Sequence, residues 1–346
     1  MQIIDAAVLE ELNKPLKIKK IKSKSLKKGE ILVKIFYSGM CRSQIMEVTG
    51  KRGIDPWLPH TLGHEASGIV IDKHKSVKKF KKGDEIILTW IKSSGLEAKN
   101  ITLNGDKGEI NAGPVTTFSN YSVISENRAV IKPKSISFQQ AMLFGCAIPT
   151  GAGIILNQVK PKQKDSLLII GLGGIGLAAL ITAIALKIKK ISVIDVNKSK
   201  LKYAKSIGAI EAYDASSKNL LKKVFLDNKS GFDFCVESAG LTETIEMGFN
   251  LINKDKGQLF FASHPPNNEK ISLSPHELIS GKKIFGSWGG EVDPDRDIPK
   301  LWKLIKKSKI DLNCLIEKEY CLNDINKAMG DLKKGKVFRP LIKMSH

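Results

Sequence analysis

The pattern of apolar and polar positions changes character twice along the chain. Up to about residue 130 it runs in short stretches of strand type. Residues 31–38 are rich in β-branched and aromatic side chains and stop at Gly39. Residues 67–72 form a second apolar run, and Gly83-Asp84 signals a turn into 85–90. This predicts a mixed, mainly β domain with its chemistry on loops. From about residue 150, strand-length runs alternate with helix-length ones. Strands are predicted over Ser166–Ile170, 190–194, 232–237 and 258–262, and helices over 174–186 and Lys198–Ile207, the latter ending at Gly208. Such alternation predicts an α/β unit with a doubly wound parallel sheet. After about residue 288 the pattern changes again. A helix near 298–307 and a last strand near 338–343 are expected to return to the first domain. The expected domains are therefore 1–149, completed by 288–346, and 150–287. There is no internal repeat and no low-complexity linker.

A chain of 346 residues suits two domains, each with its own core. The N-terminus has no basic segment followed by an apolar run, so no signal peptide is expected. The five cysteines, Cys41, Cys146, Cys235, Cys314 and Cys321, are few, odd in number and scattered. They argue against a disulfide framework and for reduced thiols in a cytoplasm. Residues 167–186 carry no charge and are long enough to span a bilayer. They also hold four glycines between two strand-like runs, which reads as a buried strand, turn and helix. The net charge of +21 comes mostly from lysines spread along the whole chain. The clusters at 17–28 and 303–309 lack interleaved aromatics, so they read as solvated surface and not as a nucleic-acid or membrane interface.

Two constellations carry chemistry. The first is Gly171-Leu172-Gly173-Gly174-Ile175-Gly176, between a predicted strand and a predicted helix, with Asp195 at the end of the next strand. Gly171 permits a tight turn, Gly173 lets a pyrophosphate approach the backbone, and Gly176 allows close packing of helix on strand. The helix N-terminus favours phosphate charge. Asp195 can accept hydrogen bonds from both ribose hydroxyls of NAD and would repel the 2′-phosphate of NADP. The other reading is a fold of this kind that binds no dinucleotide. The second constellation is Cys41, His64 and Cys146. Two thiolates and one imidazole neutralise a zinc dication and leave a fourth position open, which is a catalytic rather than a structural set. Taken singly, each residue is more often ordinary packing.

The sequences around these residues resemble one family. Gly39-Met40-Cys41-Arg42-Ser43, Gly63-His64-Glu65-Ala66-Ser67-Gly68 and Gly145-Cys146-Ala147-Ile148-Pro149-Thr150-Gly151 resemble the three zinc-ligand segments of medium-chain zinc alcohol dehydrogenases. The cofactor loop, Asp195-Val196-Asn197-Lys198-Ser199-Lys200, Pro265-Pro266 and Gly286-Ser287-Trp288-Gly289-Gly290 fit as well. The likeness spans essentially the whole chain and leans to the alcohol and glutathione-dependent formaldehyde dehydrogenase branch. It implies a GroES-like catalytic domain and a Rossmann coenzyme domain, one catalytic zinc, and NAD. It implies that Cys41, His64 and Cys146 bind zinc, that Glu65 lies behind the metal, and that Ser43 takes the proton from the substrate alcohol. Arg42 and Arg339 match arginines that grip the cofactor pyrophosphate. Thr150 and Ile175 match positions beside the nicotinamide, and Lys200 one near the adenosine ribose. Trp90, Ala112 and His264 are the implied substrate-pocket residues. A homodimer or homotetramer is an expectation of the resemblance alone.

Three departures from the family pattern stand out. Residues 93–100 contain no cysteine where many members hold a second, structural zinc, so that zinc is not expected. Gln44 replaces an aspartate that orients the zinc-binding histidine; an amide can still accept from His64 but supplies no charge. Met46 stands where many members have the outer histidine of a proton relay, which leaves His60 and His264 as competing relays. The expected reaction is reversible oxidation of a small alcohol to an aldehyde or ketone, with hydride passing to NAD. A polyol or sugar dehydrogenase, possibly acting on a phosphorylated substrate, is the alternative within the class. Lys51 and Arg52 could favour an anionic group, or be solvated loop charge. A non-catalytic cofactor sensor or nucleic-acid-binding protein is the alternative outside it, and an open metal site argues against that.

Overall fold

A computed structural model describes residues 1–337 and 339–346. Phe338, the first residue of the last predicted strand, lies outside them. The chain divides into two compact units. One comprises Met1–Cys146, Asp293–Pro299 and Asp311–His346; the other comprises Ala147–Val292 and Lys300–Ile310.

In the first unit, five strands close a small barrel in the order Ile3–Leu9, Lys17–Lys22, Thr102–Gly105, Gly108–Asn111 and His60–Thr61. A seven-stranded sheet runs Ala129–Ile131, Glu85–Thr89, Glu65–Lys73, Glu30–Gly39, Pro340–Lys343 and Lys318–Cys321, with Tyr121–Ser125 also paired to Glu30–Gly39. The predicted strand over 31–38 is its centre. There Ser38 pairs with Ala66, and Gly39 with Leu341. Val33, Ile35, Ile86, Leu88 and Phe118 build the core, which fixes the register because a slip of one residue would turn them to the other face. The Glu65–Lys73 strand begins directly after His64. The metal-ligand candidate therefore sits at the mouth of the best-paired part of the sheet.

The second unit is an all-parallel six-stranded sheet. Its order is Glu211–Asp214, Lys190–Asp195, Ser166–Ile170, Phe234–Glu237, Gln258–Phe261 and Lys283–Gly286. Ser166–Ile170 leads through the glycine turn into the helix Gly174–Ala185. The apolar run at 167–186 is thus this strand, turn and helix. The helix Lys198–Ile207 is capped by Asn197, whose side chain accepts from the Lys200 N–H, and ends at Gly208 with φ 132°. Among the described residues, no single helix is long and apolar enough to cross a membrane.

The unit boundary falls at Cys146/Ala147, a few residues before the expected one. A Cβ at Gly151 would lie 2.1 Å from the carbonyl oxygen of Ile175, so the helix Ala147–Gly153 packs backbone to backbone on the glycine-loop helix. Lys300–Ile310 also groups with the second unit, against the expectation that all of 288–346 returns to the first. Its apolar Leu301 and Ile305 are buried.

Candidate active site

The folding of the first unit brings three distant residues together. Cys41 precedes the short helix Arg42–Val48, His64 precedes the central strand Glu65–Lys73, and Cys146 lies between two short helical turns. Their donor atoms all lie within 4.8 Å of one another. Two sulfurs and an imidazole nitrogen at that spacing fit a tetrahedral divalent zinc with one open position. Of the two thiols, Cys41 is the one the surroundings favour as thiolate. A hydrogen bond from Cys146, followed by His64 and Arg339, holds the Cys41 thiol well below its usual range against burial. Cys146 is pushed up by sharing its proton with Cys41.

Glu65 is the hub of this cluster. It is fully buried. A Cβ at Gly39 would fall 2.5 Å from its Oε1, and a Cβ at Gly145 would fall 2.7 Å from its Cβ. The glycines just before both cysteine ligands are thus pressed onto the residue just after the histidine ligand. That close approach explains the glycines that open these two segments; Gly63, which opens the third, has φ 88° and a Cβ there would fall 2.4 Å from Thr117 Oγ1. Glu65 Oε2 accepts from Arg339 Nη2, while Oε1 and Arg339 Nε are buried without a partner among the described residues. Burial pushes the Glu65 carboxyl up, with Arg339 opposing. Arg339 was expected at the cofactor pyrophosphate. Its guanidinium is buried against Glu65, with 4% of the residue exposed. Arg42, the other expected pyrophosphate arginine, is exposed.

Gln44, also buried, faces two ligand residues. Its Oε1 accepts the Cys41 N–H at 2.7 Å, and its Nε2 lies 2.6 Å from His64 Nδ1. The amide oxygen was expected toward His64; the structure turns the nitrogen there, because the Cys41 N–H claims the oxygen. The Ser43 hydroxyl, two positions from Cys41, is buried and has no partner among the described residues. A buried hydroxyl with nothing to bond is what a substrate oxygen would complete. Trp90 lies edge-on to His64, with ring centroids 6.5 Å apart. Ala112 lies elsewhere. It packs with Ile4, Ala6 and Val8 in the small barrel's core. His60 is occupied on both ring nitrogens, by Thr61 O and by Asp55, each at 2.9 Å. Arg52 is within 3.9 Å of Glu47, and Lys51 is exposed.

The second unit carries the dinucleotide candidates. Gly171 has φ 84°, which favours glycine, and a Cβ there would meet Ala239 N at 2.7 Å. At Gly176 a Cβ would fall 1.8 Å from Gly171 O, whereas at Gly173 it would meet nothing within 4 Å. The backbone at Gly173 is therefore bare at the start of the helix Gly174–Ala185, which fits a pyrophosphate. Asp195 is buried, and its oxygens accept the N–H groups of Leu172 at 2.6 Å and Asn197 at 2.7 Å. Each oxygen keeps a second lone pair for a ribose hydroxyl. Thr150 is buried, Ile175 and Lys200 are half-buried, and exposed His264 lies edge-on to Trp288 at 5.8 Å.

Sequence reasoning missed two residues here. Ser238 donates its hydroxyl to Gly171 O at 2.7 Å, and Glu237 Oε1 accepts from Ala239 N, Gly240 N and the Thr244 hydroxyl. Their position at the end of a predicted strand was the available signal, since that is where such sheets bind ligands.

Residues 27–134 match the alcohol dehydrogenase GroES-like domain, and residues 174–307 match the zinc-binding dehydrogenase domain. The chain is 29% identical to an S-(hydroxymethyl)glutathione dehydrogenase of Escherichia coli O6:H1, with 98% of this chain and 99% of the relative covered. It superposes on benzyl alcohol dehydrogenase from Acinetobacter calcoaceticus with a TM-score of 0.89 at 25% identity, all of both chains being covered. An alcohol dehydrogenase zinc-binding domain protein from Burkholderia ambifaria shares the fold with the same TM-score at 23% identity, again over the whole of both chains. With both domain types and the Cys41–His64–Cys146 cluster in place, the chain belongs to the medium-chain zinc-dependent alcohol dehydrogenase family.

Proposed function

We propose that this zinc-dependent, NAD-linked oxidoreductase interconverts a small alcohol and its aldehyde or ketone, with Ser43 as the group that moves the proton. The observation that carries the reading is the Cys41–His64–Cys146 cluster with the unpartnered Ser43 hydroxyl two residues along the same turn. When bound, zinc supplies a Lewis acid for the alcohol oxygen and the nicotinamide accepts the hydride. The reaction balances as alcohol plus NAD⁺ giving carbonyl compound, NADH and a proton.

The chain's own residues supply the rest. Ser43 accepts the substrate proton and passes its own onward, since a hydroxyl both donates and accepts. Met46 lies on the same helix and has no titratable group to take that proton. His60 already bonds through both ring nitrogens. The onward path therefore runs through the cofactor ribose or another group. Gly173, Gly174 and the helix behind them receive the pyrophosphate. Asp195 receives the adenosine ribose and disfavours a 2′-phosphate. Thr150 and Ile175 flank the nicotinamide, Lys200 stands near the ribose, and Arg42 serves the pyrophosphate.

The related Escherichia coli enzyme is named for S-(hydroxymethyl)glutathione, and the Acinetobacter enzyme for benzyl alcohol. The Trp90 ring beside His64 supports an apolar or aromatic carbon skeleton on the substrate. Lys51 and Arg52 are the groups that a carboxylate or phosphate on the substrate would meet. We place the protein in the cytoplasm, on cysteines that are few, odd in number and scattered. A panel of alcohols and aldehydes assayed with NAD and with NADP, on protein of measured zinc content, tests the reading. Zinc-dependent NADH formation with primary alcohols is the expected result. No turnover of any alcohol by zinc-loaded protein would overturn it.

A further inference from the structure

The hydrogen bonds around His64 form a chain with a fixed direction. The Cys41 N–H can only donate, so the Gln44 atom 2.7 Å from it is the oxygen. The Gln44 nitrogen, a donor, then lies 2.6 Å from His64 Nδ1, which accepts. The ring's proton is left on Nε2, and Nε2 is the nitrogen 3.3 Å from Cys146 Sγ. The donors and acceptors match all along this chain.

Zinc changes the count. Nε2 is the ring nitrogen on the side of the two sulfurs, so it must offer the metal its lone pair. A neutral imidazole then carries its proton on Nδ1. Two N–H donors, from Cys41 and His64, now face a side chain with one acceptor atom. Turning the amide over moves the clash from His64 to Cys41 without removing it. Gln44 is 1% exposed, which leaves little access for water to relieve the mismatch.

We propose, on the reading of Cys41, His64 and Cys146 as the zinc site, that Gln44 is a positioning residue that weakens zinc binding by opposing the histidine tautomer the metal requires. Its amide stabilises His64 with the proton on Nε2 and works against the form with Nε2 free. A carboxylate of the same length would accept from both Cys41 and His64. A thioether of similar size would neither oppose nor assist His64.

The test is transfer of zinc from the holoenzyme to a chromophoric chelator of known affinity, for wild type, Gln44→Glu and Gln44→Met. Gln44→Glu should hold zinc at least tenfold more tightly than wild type, in the range over which groups bonded to metal ligands act. Gln44→Met should hold it at least as tightly as wild type, although it loses the Cys41 hydrogen bond. A residue that merely orients His64 or caps the helix would give the opposite sign for Gln44→Met. Weaker zinc binding by Gln44→Met overturns the proposal, and so does a Gln44→Glu variant no tighter than wild type. If wild type surrenders zinc as readily as Cys146→Ser does, the zinc-site reading itself fails, and this proposal with it.

Discussion

Each zinc-ligand candidate is placed by a neighbour in sequence whose own contacts are long-range. Gly39 and Gly145 press on Glu65, Gln44 bonds the residue that caps its own helix, and the Ser43 hydroxyl is buried with no partner among the described residues. Ser43→Ala should lower turnover by roughly a hundredfold or more while zinc content stays unchanged, because alanine can neither take nor pass a proton. Paired metal analysis and steady-state kinetics check this; near-normal turnover would remove Ser43 from the proton path. Asp195 acts at the other cofactor. Its oxygens already hold the N–H groups of Leu172 and Asn197, so its carboxylate is fixed before any ribose arrives. Asp195→Ala should weaken NADH binding and narrow the preference for NAD over NADP. Fluorescence titration with both reduced cofactors reads it, and an unchanged preference would show that Asp195 does not choose between them.

At the scale of elements, the loop that lacks cysteines is held by ionic and polar contacts. Lys79 Nζ donates to Ser93 Oγ at 2.8 Å, Ala129 O at 2.8 Å and Asp295 Oδ2 at 2.9 Å; Asp295 also accepts from the N–H and hydroxyl of Ser94. Glu126 accepts from the backbone N–H groups of Lys78, Lys79 and Leu96. Burial raises the Asp295 carboxyl, but the bonds from Lys79 and Ser94 outweigh it and hold the group below its usual range. Its stabilisation is therefore full above the unfolded carboxyl value of about 3.9 and is lost as pH falls through the lower folded value. Asp295→Asn should cost about 2 kcal/mol at neutral pH, and the gap from wild type should narrow in acid. Urea unfolding at several pH values measures this, and a gap independent of pH would mean the charge contributes nothing. None of this clamp was legible in the sequence, because its partners are far apart along the chain. The same holds for Arg339 with Glu65. The four strands from Ser166–Ile170 to Gln258–Phe261 that were predicted in the second unit, and the helices Gly174–Ala185 and Lys198–Ile207, were legible to within a residue or two, since parallel strands buried on both faces read as unbroken apolar runs; Glu211–Asp214 and Lys283–Gly286 were not predicted. The small barrel was not. Thr102–Gly105 and Gly108–Asn111 are four residues each, and Lys17–Lys22 buries only Ile21 among its lysines. Ala112 belongs to this core, whose strands the sequence did not announce.

For the whole molecule, metal content follows from which residues the fold gathers. The described residues yield one group of histidine, cysteine and carboxylate donors close enough to hold a metal, Cys41 with His64 and Cys146. Cys235 is buried in the second unit's apolar core with Leu259 and Phe249, and among the described residues it joins no group of metal donors. Cys314 and Cys321 belong to the segment Asp311–His346, and neither joins a second donor set. The loop at 93–100, which carries no cysteine, is fixed by Lys79, Asp295 and Glu126. A second zinc therefore has neither ligands nor a structural task there. Washed protein should contain about one zinc per chain. Cys146→Ser should lose that zinc and its activity together, because a serine hydroxyl is a far poorer ligand than a thiolate. The barrel and sheet should survive, since the cores around Val33, Ile35 and Phe118 are built without the metal. Atomic absorption with far-ultraviolet circular dichroism on both proteins separates the outcomes. Two tightly held zincs in wild type would contradict the single donor set, and full zinc in Cys146→Ser would remove Cys146 from it.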